Sequence, residues 1–324
     1  MDVDVAIVGG GPAGAAAALT LRRYTGRSVV LIERSSYGEL RIGETVSNAL
    51  KPLLEYLGVS QVLSGEHRIE GLGAKASWGS STPSIRHSIF LATGQGWHLN
   101  RLAFDRALAS AAEDRGATVL RNAPLKQAAL VDGIWRLRLG GNISHEIIAP
   151  QMVDATGRAA VVARRAGARH RAFDKLVGLT GVFRVSPAVP IENMIFVEAV
   201  ENGWWYSASA PANLAVVTYM TDADILPYAA RDRYLDLLRG APLTAKRLHG
   251  CQLDSRPRVF PSCSQVLEPC LGAVGSLLAT RRAPLTRCRP SVSGMPWLPV
   301  FKPRGLSKAG LTAKKTSHWP IPAK

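Results

Sequence analysis

The chain opens with an apolar, β-branched run that passes into a glycine turn and then into an alanine-rich stretch. Residues 5–8 predict a strand, and the spacing of apolar residues from Pro12 to Tyr24 predicts a helix. A second apolar run, Ser28–Ile32, predicts another strand and is followed by Glu33. A strand, a turn, a helix and a second strand in this order are typical of an α/β fold built on a parallel sheet.

Three glycines in the turn have the spacing of a dinucleotide-binding loop, G-x-G-x-x-G. Gly9 allows the tight turn, Gly11 leaves room for a pyrophosphate to approach the backbone, and Gly14 lets the helix lie close to the strand. Pro12 and Ala13 begin the helix, whose free N–H groups then face that ligand. A glycine-rich turn that binds nothing is the alternative. The flanking strands and helix favour dinucleotide binding, without separating NAD, NADP and FAD.

Glu33 lies nineteen residues beyond Gly14, at the end of the second predicted strand. A carboxylate in this position accepts hydrogen bonds from the adenosine ribose of a bound dinucleotide. We therefore assign Glu33, together with Arg34 beside it, to the candidate cofactor site.

The middle of the chain has a different pattern. Residues 176–220 form short apolar runs separated by turn residues at intervals of roughly 8 to 12 residues, which predicts an antiparallel sheet. A helix is predicted over residues 48–57 and another after Arg101, while residues 126–148 alternate as hairpin strands. The aromatic run Trp204–Tyr206 fits either a pocket lined by aromatic side chains or ordinary packing of the sheet.

Composition limits the class of protein. A chain of 324 residues with 47% hydrophobic content is long enough for two domains. No apolar run approaches the roughly 20 residues of a membrane span, and the acidic start at Asp2 and Asp4 predicts no export signal. The cysteines lack C-x-x-C and zinc-site spacings, which predicts reduced thiols in a cytoplasmic protein without a metal site. They are Cys251, Cys263, Cys270 and Cys288.

The net charge of +16 is concentrated at one end of the chain. Residues 271–324 contain ten Lys and Arg and no Asp or Glu, so they supply +10, and the other 270 residues carry +6. A basic arm that binds nucleic acid would explain this segment. However, the segment lacks a recognition motif and a regular aromatic-basic pattern, so we predict no nucleic-acid partner.

Four features together resemble the FAD-dependent oxidoreductases of the aromatic-hydroxylase and tryptophan-halogenase superfamily. They are the glycine turn, the R-I-G-E-T sequence at Arg41–Thr45, the helix entered by Arg101, and the D-A-T-G sequence at Asp154–Gly157. Trp78–Ser80 (W-G-S) and residues 96–101 (G-W-H-L-N-R) are most similar to halogenase-related flavoprotein monooxygenases. Some of those enzymes help to install quinone cofactors in bacterial amine and amino-acid oxidases.

The resemblance covers about residues 1–265 and implies a Rossmann-like, three-layer β/β/α FAD-binding domain. This domain would be discontinuous, over residues 1–70 and 96–165, and interleaved with a mostly antiparallel substrate domain over residues 71–95 and 166–262. It implies FAD as the cofactor, NAD(P)H as a transient reductant and oxygen as the oxidant. The substrate would be aromatic or amino-acid-like, either a small molecule or part of a peptide or protein. Further cofactor contacts are implied at Arg41, Glu44, Thr45, Arg101, Asp154 and Gly157.

Lys75 and His98 are the candidate catalytic residues. Halogenases of this superfamily need a lysine that carries or orients hypochlorous acid, and Lys75 is the candidate for it, although a solvated strand lysine is the alternative. His98 stands beside the predicted helix, where a histidine is more often a packing or capping residue than a catalytic one. The chain lacks the W-x-W-x-I-P segment of tryptophan halogenases and has Trp204–Ser207 (W-W-Y-S) instead. Monooxygenation is therefore the main hypothesis and halogenation the alternative.

The C-terminal segment, residues 263–324, is where the resemblance implies a return to the FAD domain. A Gly-Asp segment and an Asp-Pro pair should contact and cover FAD there, yet the chain reads G-S-L-L-A-T-R-R at Gly275–Arg282. In a shifted frame, Leu278–Thr280 can encode Gly-Asp, and Leu285–Gly305 can encode the Asp-Pro segment. We therefore predict a frame change near Leu271 and an irregular or disordered tail interrupted by prolines. For this exact chain we predict weak FAD retention, poor solubility and little or no turnover. A decayed or non-enzymatic flavoprotein is the alternative.

Overall fold

The computed structural model of the protein describes residues 1–90, 94–141 and 146–268. The predicted frame change and the irregular tail lie outside these residues. The α-helices of the described ranges are α1 (Pro12–Tyr24), α2 (Leu50–Leu57), α3 (Arg101–Asp114), α4 (Val161–Arg165), α5 (Tyr234–Arg239) and α6 (Pro242–Arg247). None of the helices in these ranges is long and apolar enough to cross a membrane.

The strands of the same ranges are β1 (Val5–Val8), β2 (Val29–Ile32), β3 (Thr45–Val46), β4 (Arg68–Gly71), β5 (Gly73–Ser77), β6 (Ser84–His87), β7 (Gly96–Leu99), β8 (Thr118–Leu120), β9 (Leu125–Val131), β10 (Ile134–Leu139), β11 (Glu146–Ala149), β12 (Gln151–Asp154), β13 (Arg169–Ala172), β14 (Leu176–Arg184), β15 (Met194–Val200), β16 (Gly203–Ala210), β17 (Leu214–Asp222), β18 (Gln252–Leu253), β19 (Arg258–Pro261) and β20 (Gln265–Glu268). Short 3₁₀ turns occupy Ser60–Leu63, Gly65–His67, Ser88–Phe90 and Gly157–Ala159.

One boundary of each of the first three helices falls at a residue suited to that position. Helix α1 has Pro12 at its first position, where the missing N–H costs nothing. Helix α2 ends at Gly58, which has a φ of +66° and closes the helix in the left-handed conformation. Helix α3 is capped by Asn100, whose side chain accepts a hydrogen bond from the N–H of Ala103 at 3.2 Å. Local sequence therefore sets these boundaries.

A four-stranded parallel sheet has the order β12-β1-β2-β8. Because all four strands run the same way, their carboxyl ends meet at one edge. The glycine turn follows β1 at this edge, Glu33 follows β2, and Asp154 ends β12 beside Val8. Open α/β sheets bind ligands at this edge.

The parallel sheet is covered on both faces. One face packs on helices α1 and α3 in a cluster that includes Ile7 and Leu31. The other face packs on the antiparallel sheet β11-β10-β9 in a cluster that includes Ile32 and Leu137. Strands β1 and β2 are buried along their full length, as expected for a sheet covered on both sides. This confirms the predicted three-layer β/β/α architecture.

The largest sheet has the order β18-β14-β17-β16-β15-β5-β6, with β19 also paired to β14. Strands β15 and β5 run parallel, and the other described pairs of this sheet are antiparallel, as predicted. Trp205 is 1% exposed, stacks on Tyr219 with ring centroids 5.1 Å apart, and meets Tyr234 of α5 edge-on. Trp205 is thus a core residue, as the packing alternative requires.

Two smaller sheets complete the described chain. Strand β7 pairs with β3 on one side and β4 on the other, forming a small sheet in the order β3-β7-β4. Strand β13 pairs with β20 in a separate two-stranded ribbon, outside the large sheet. The short, polar pattern of residues 71–91 predicts strand-like structure, but residues 88–90 form a 3₁₀ turn instead. A short run of apolar residues is compatible with either state.

Candidate cofactor site

The glycine turn has the steric properties that its spacing predicts. Gly9 has a φ of +110°, and a Cβ there would lie 2.3 Å from the carbonyl oxygen of Ala155. A Cβ on Gly14 would lie 1.9 Å from the carbonyl oxygen of Gly9, so α1 can approach β1 only with glycine. A Cβ on Gly11 would meet no described atom within 4 Å. Among the glycines of the turn, Gly11 is therefore the one that borders open space.

The start of helix α1 lies beside that space. Gly11 is the N-cap residue and gives no side-chain cap, and the first turn carries no acidic side chain. Pro12 has no N–H, and the N–H groups of Ala13 and Gly14 have no acceptor within the helix. The backbone therefore presents donors and the positive end of a helix dipole to an anion.

A tyrosine behind the turn was missed by the sequence analysis. Tyr37 is fully buried and donates a hydrogen bond to the carbonyl oxygen of Gly10 at 2.8 Å. A Cβ on Gly10 would lie 2.3 Å from the Tyr37 hydroxyl, so Gly10 is also sterically required. Burial, with the nearby charge of Glu33, raises the pKa of Tyr37 to about 12, so the hydroxyl remains a donor at neutral pH. The signal in the sequence was the glycine at position 10, which the G-x-G-x-x-G spacing does not require.

Glu33 is 5% exposed and is bound by protein donors. Its Oε2 accepts from the N–H of Gly10 at 2.8 Å, and its Oε1 accepts from the N–H and hydroxyl of Ser35 at 3.0 and 2.6 Å. Arg41 contacts the same Oε1 at 3.0 Å. The carboxylate therefore braces the glycine turn, while Arg34, its neighbour, is exposed.

Arg41 and Arg101 converge on Asp105, which is 1% exposed. Arg41 lies 2.8 Å from one Asp105 oxygen, and Arg101 donates to both oxygens at 3.2 Å. Arg101 also donates to the carbonyl oxygens of residues 42–43 at 2.9 and 3.1 Å. Burial would lower the pKa of Arg41, but its hydrogen bond to Asp105 and the charge of Glu33 raise it. The i, i+4 spacing of Arg101 and Asp105 was the signal for this missed carboxylate.

Asp154 is 4% exposed and closes the turn after β12. Its Oδ1 accepts from the N–H and hydroxyl of Thr156 at 3.0 and 2.6 Å. Its Oδ2 accepts from the N–H groups of Val162 and Ala163 at 2.8 and 2.9 Å. Gly157 is exposed and has a φ of +64°, which allows the turn between these donors. Asp154 thus fixes the backbone next to the glycine turn.

Glu44 and Thr45 face a residue of the large sheet. The Tyr206 hydroxyl donates to Glu44 Oε1 at 2.6 Å and lies 3.0 Å from the Thr45 hydroxyl. All three side chains are buried. Burial and the Glu44 carboxylate raise the pKa of Tyr206 well above its ordinary value, so the phenol remains protonated and donates. The contact between Tyr206 and Glu44 has no local signal in the sequence, because the two partners are 162 residues apart.

His98 is buried in this fold and contacts the large sheet. It lies on β7 opposite Thr45, is 1% exposed, and its Nδ1 lies 2.6 Å from the carbonyl oxygen of Ser209. A carbonyl oxygen can only accept, so Nδ1 carries the proton. Burial, assisted by the charge of Arg247, lowers the pKa of His98 to about 4. These contacts support packing rather than catalysis.

The lowered pKa of His98 makes the stability of the protein depend on pH. The unfolded chain binds the proton near pH 6.5 and the folded chain near pH 4, so protonation opposes folding. The contribution of His98 is complete above pH 6.5 and is lost as the pH falls toward 4. From pH 7 to pH 5, the wild type should lose about 2 kcal/mol more free energy of unfolding than His98→Gln. Urea unfolding at both pH values measures this, and equal losses would contradict a buried neutral histidine.

Lys75 lies apart from the contact made by Tyr206. Its Nζ forms an ion pair with Glu192, and its backbone pairs with Phe196. Side chains alternate along a strand, and Ala76, the next residue, shares a register row with Tyr206. Lys75 therefore lies on the sheet face opposite to Tyr206.

The aromatic run on β16 divides between the two faces of the large sheet. Trp205 belongs to the core, whereas Trp204 and Tyr206 lie on the opposite face. Trp204 pairs with Trp78, with ring centroids 6.0 Å apart, and Trp78 is 41% exposed. Neither an aromatic pocket nor packing in the core of the sheet therefore describes all three residues of the run.

Comparison with known proteins decides the family. The profile of the family described as FAD dependent oxidoreductase matches residues 4–194, more than half of the chain. This chain belongs to the FAD-dependent oxidoreductase family. The matched range contains the glycine turn, the cluster formed by Arg41, Arg101 and Asp105, and the D-A-T-G turn of this FAD-dependent oxidoreductase. The resemblance identified from its motifs is confirmed.

Two curated relatives and one solved structure agree with the family. The oxidoreductase is 35% identical over 226 residues to LodB of Marinomonas mediterranea, named as an FAD-dependent oxidoreductase, and covers 61% of it with 69% of its own length. It is 26% identical over 282 residues to the flavin-dependent halogenase armH4 of Armillaria mellea, with 79% of this chain and 52% of the relative covered. This chain therefore spans between about half and three fifths of the length of these relatives.

The crystal structure of CmlS, a flavin-dependent halogenase, shares the fold of this FAD-dependent oxidoreductase. The two superpose with a TM-score of 0.74 over 86% of this chain and 52% of CmlS. Their sequences are 24% identical, so this likeness concerns the fold.

Proposed function

We propose that this chain binds FAD at the carboxyl edge of its parallel sheet and is an NAD(P)H- and oxygen-dependent monooxygenase. Its substrate would be aromatic or amino-acid-like, either free or part of a peptide or protein. The glycine turn is the observation that carries the proposal. Gly9 and Gly14 are sterically required there, while Gly11 borders open space beside an uncapped helix start. A pyrophosphate fits such a cradle, and membership of the family supports FAD as the dinucleotide.

Several residues would hold FAD in this proposal. The N–H groups of Ala13 and Gly14 would bind the pyrophosphate. Among the residues that the structure describes, Glu33 Oε2 accepts one hydrogen bond, so a second lone pair would be available to a ribose hydroxyl. Arg41 and Arg101 hold the loop of residues 41–45 beside the turn. FAD would supply the redox chemistry when bound, and the chain would supply orientation and exclusion of water.

Halogenation is the second candidate, because armH4 and CmlS are named as flavin-dependent halogenases. It would require a lysine at the reacting halide species, and Lys75 is the candidate for it. The ion pair of Lys75 with Glu192 and its separation from the face of Tyr206 favour monooxygenation.

Oxygen uptake and product formation in halide-free buffer distinguish the two reactions. With NAD(P)H, FAD and tryptophan, tyrosine or short peptides containing them, we expect the frame-corrected chain to form a hydroxylated product without chloride or bromide. Lys75→Ala should retain turnover within about fivefold, because an ion pair with the exposed Glu192 contributes at most about 1 kcal/mol. Turnover that strictly requires chloride or bromide and is lost in Lys75→Ala would establish halogenation instead.

For residues 271–324 we propose that a frame change has removed the segment that covers FAD in the family. This chain would then retain FAD weakly. The coding DNA is the direct test, and a single-base insertion or deletion near codon 271 that restores the Gly-Asp and Asp-Pro segments is the expected result. DNA that encodes neither segment in any frame would contradict the proposal.

A further inference from the structure

Two buried polar contacts join strand β16 to the small sheet β3-β7-β4. Tyr206 contacts Glu44 and Thr45, and Ser209 accepts from His98. Thr45 and His98 are direct partners in the β3–β7 register. The two contacts therefore involve neighbouring residues, Thr45 and His98. We call them the junction between the large sheet and the loop that follows β2.

Tyr206 is the residue of this junction that reaches the candidate cofactor loop. Its hydroxyl donates to Glu44 Oε1, and the second oxygen of Glu44 accepts from the N–H of Gly43 at 3.1 Å. Tyr206 is 6% exposed and Glu44 is 4% exposed, so water competes little for these groups. A buried hydrogen bond to a carboxylate is stronger than one between neutral groups.

The loop of residues 41–45 is held from two sides. Arg101 of α3 donates to the carbonyl oxygens of residues 42–43, and Tyr206 of β16 holds Glu44. At the start of the loop, Arg41 contacts Glu33 and Asp105. If the β16 side were released, the loop would keep its contacts to α3 but lose its tie to the large sheet.

We infer that Tyr206 is a positioning residue, whose hydroxyl fixes the loop of residues 41–45 and so sets the position of that loop at the cofactor site. This inference rests on the proposed function, because the proposal places FAD beside that loop. Tyr206 acts through Glu44 and is assigned no direct contact with FAD or substrate.

Tyr206→Phe tests this role, with Tyr219→Phe as the matched control. Both variants remove one hydroxyl from the large sheet, but Tyr219 lies on the other face and donates to the carbonyl oxygen of Asn202 at 3.2 Å. In FAD-free protein, Tyr206→Phe should speed hydrogen exchange of residues 43–46 about tenfold, and Tyr219→Phe should leave those amides unchanged. The Kd for FAD should rise about tenfold in Tyr206→Phe, against less than about twofold in the control.

A double-variant comparison separates positioning through Glu44 from a general loss of structure. Adding Tyr206→Phe to Glu44→Ala should raise the Kd for FAD no further, because the Glu44 contact through which Tyr206 acts is already absent. If wild-type protein binds FAD and the two tyrosine variants behave alike in exchange and Kd, the inference is wrong and the proposed FAD site stands. If neither the 324-residue chain nor the frame-corrected chain binds FAD, the proposed function is wrong, and so is the cofactor role assigned to Tyr206.

Discussion

Replacing Gly11 with alanine is expected to weaken FAD binding at least about tenfold while leaving the fold intact. Gly11 has a φ of −74°, which any residue adopts, and a Cβ there would meet no described atom within 4 Å. The cost to folding should stay within about 1 kcal/mol, the loss of glycine at an N-cap. A pyrophosphate needs that space to reach the N–H groups of the helix. The added methyl group therefore blocks the ligand without clashing with the protein.

Two other glycines provide matched controls for Gly11→Ala. Gly26 also borders open space but lies beyond the far end of α1, so Gly26→Ala should change neither stability nor FAD binding. Gly14→Ala should lower both, because its Cβ would lie 1.9 Å from the carbonyl oxygen of Gly9. Urea unfolding and FAD fluorescence measure the two quantities. Gly11→Ala protein that binds FAD as tightly as wild type would contradict the placement of the pyrophosphate.

Replacing Asp154 with alanine is expected to lower the free energy of unfolding by about 3 to 5 kcal/mol. The carboxylate accepts from the N–H and hydroxyl of Thr156 and from the N–H groups of Val162 and Ala163. Alanine would leave these donors without an acceptor at a buried site. Each unsatisfied group lowers the free energy of unfolding by about 1 to 3 kcal/mol. Urea unfolding of both proteins measures the difference.

Asp224→Ala is the control for Asp154→Ala. Asp224 forms an ion pair with Lys175 at 2.7 Å, and both side chains are more than half exposed. Such a pair contributes at most about 1 kcal/mol, because water screens it. Equal destabilisation by the two substitutions would show that Asp154 does not fix the turn after β12.

The parts of the site that were predictable are those set by local sequence. The G-x-G-x-x-G spacing gave the roles of Gly9, Gly11 and Gly14, because each role depends on backbone atoms close by in the turn or in the paired strand. The helix boundaries at Pro12 and Gly58 followed from backbone preferences of proline and glycine.

The partners of the charged residues were not predictable in the same way. The sequence placed Glu33, Arg41, Arg101 and Asp154 at the cofactor, but the structure shows that each has protein partners. These partners arise from the packing of elements distant in the sequence, such as Arg41 against Asp105, 64 residues apart. Residue type predicts that a buried charge needs partners, whereas the fold decides which ones.

The alternation of side chains along β16 decides on which face of the sheet Tyr206 lies. The run Trp204–Tyr206 was treated as one unit, either a pocket or core packing. Because neighbouring side chains of a strand point to opposite faces, the run had to divide, and Trp205 entered the core without the other two. The contact of Tyr206 with Glu44 spans 162 residues and has no local signal in the sequence.

The central claim is that the glycine turn is an FAD site, and a fluorescence titration with FAD tests it most directly. It should be made on the purified 324-residue chain and on a chain whose residues 271–324 follow the frame-corrected sequence. We expect both chains to quench FAD fluorescence, weakly for the first and stoichiometrically for the second, with no competition from NADP⁺. Binding of NADP⁺ by these chains, with no quenching of FAD by either, would contradict the claim.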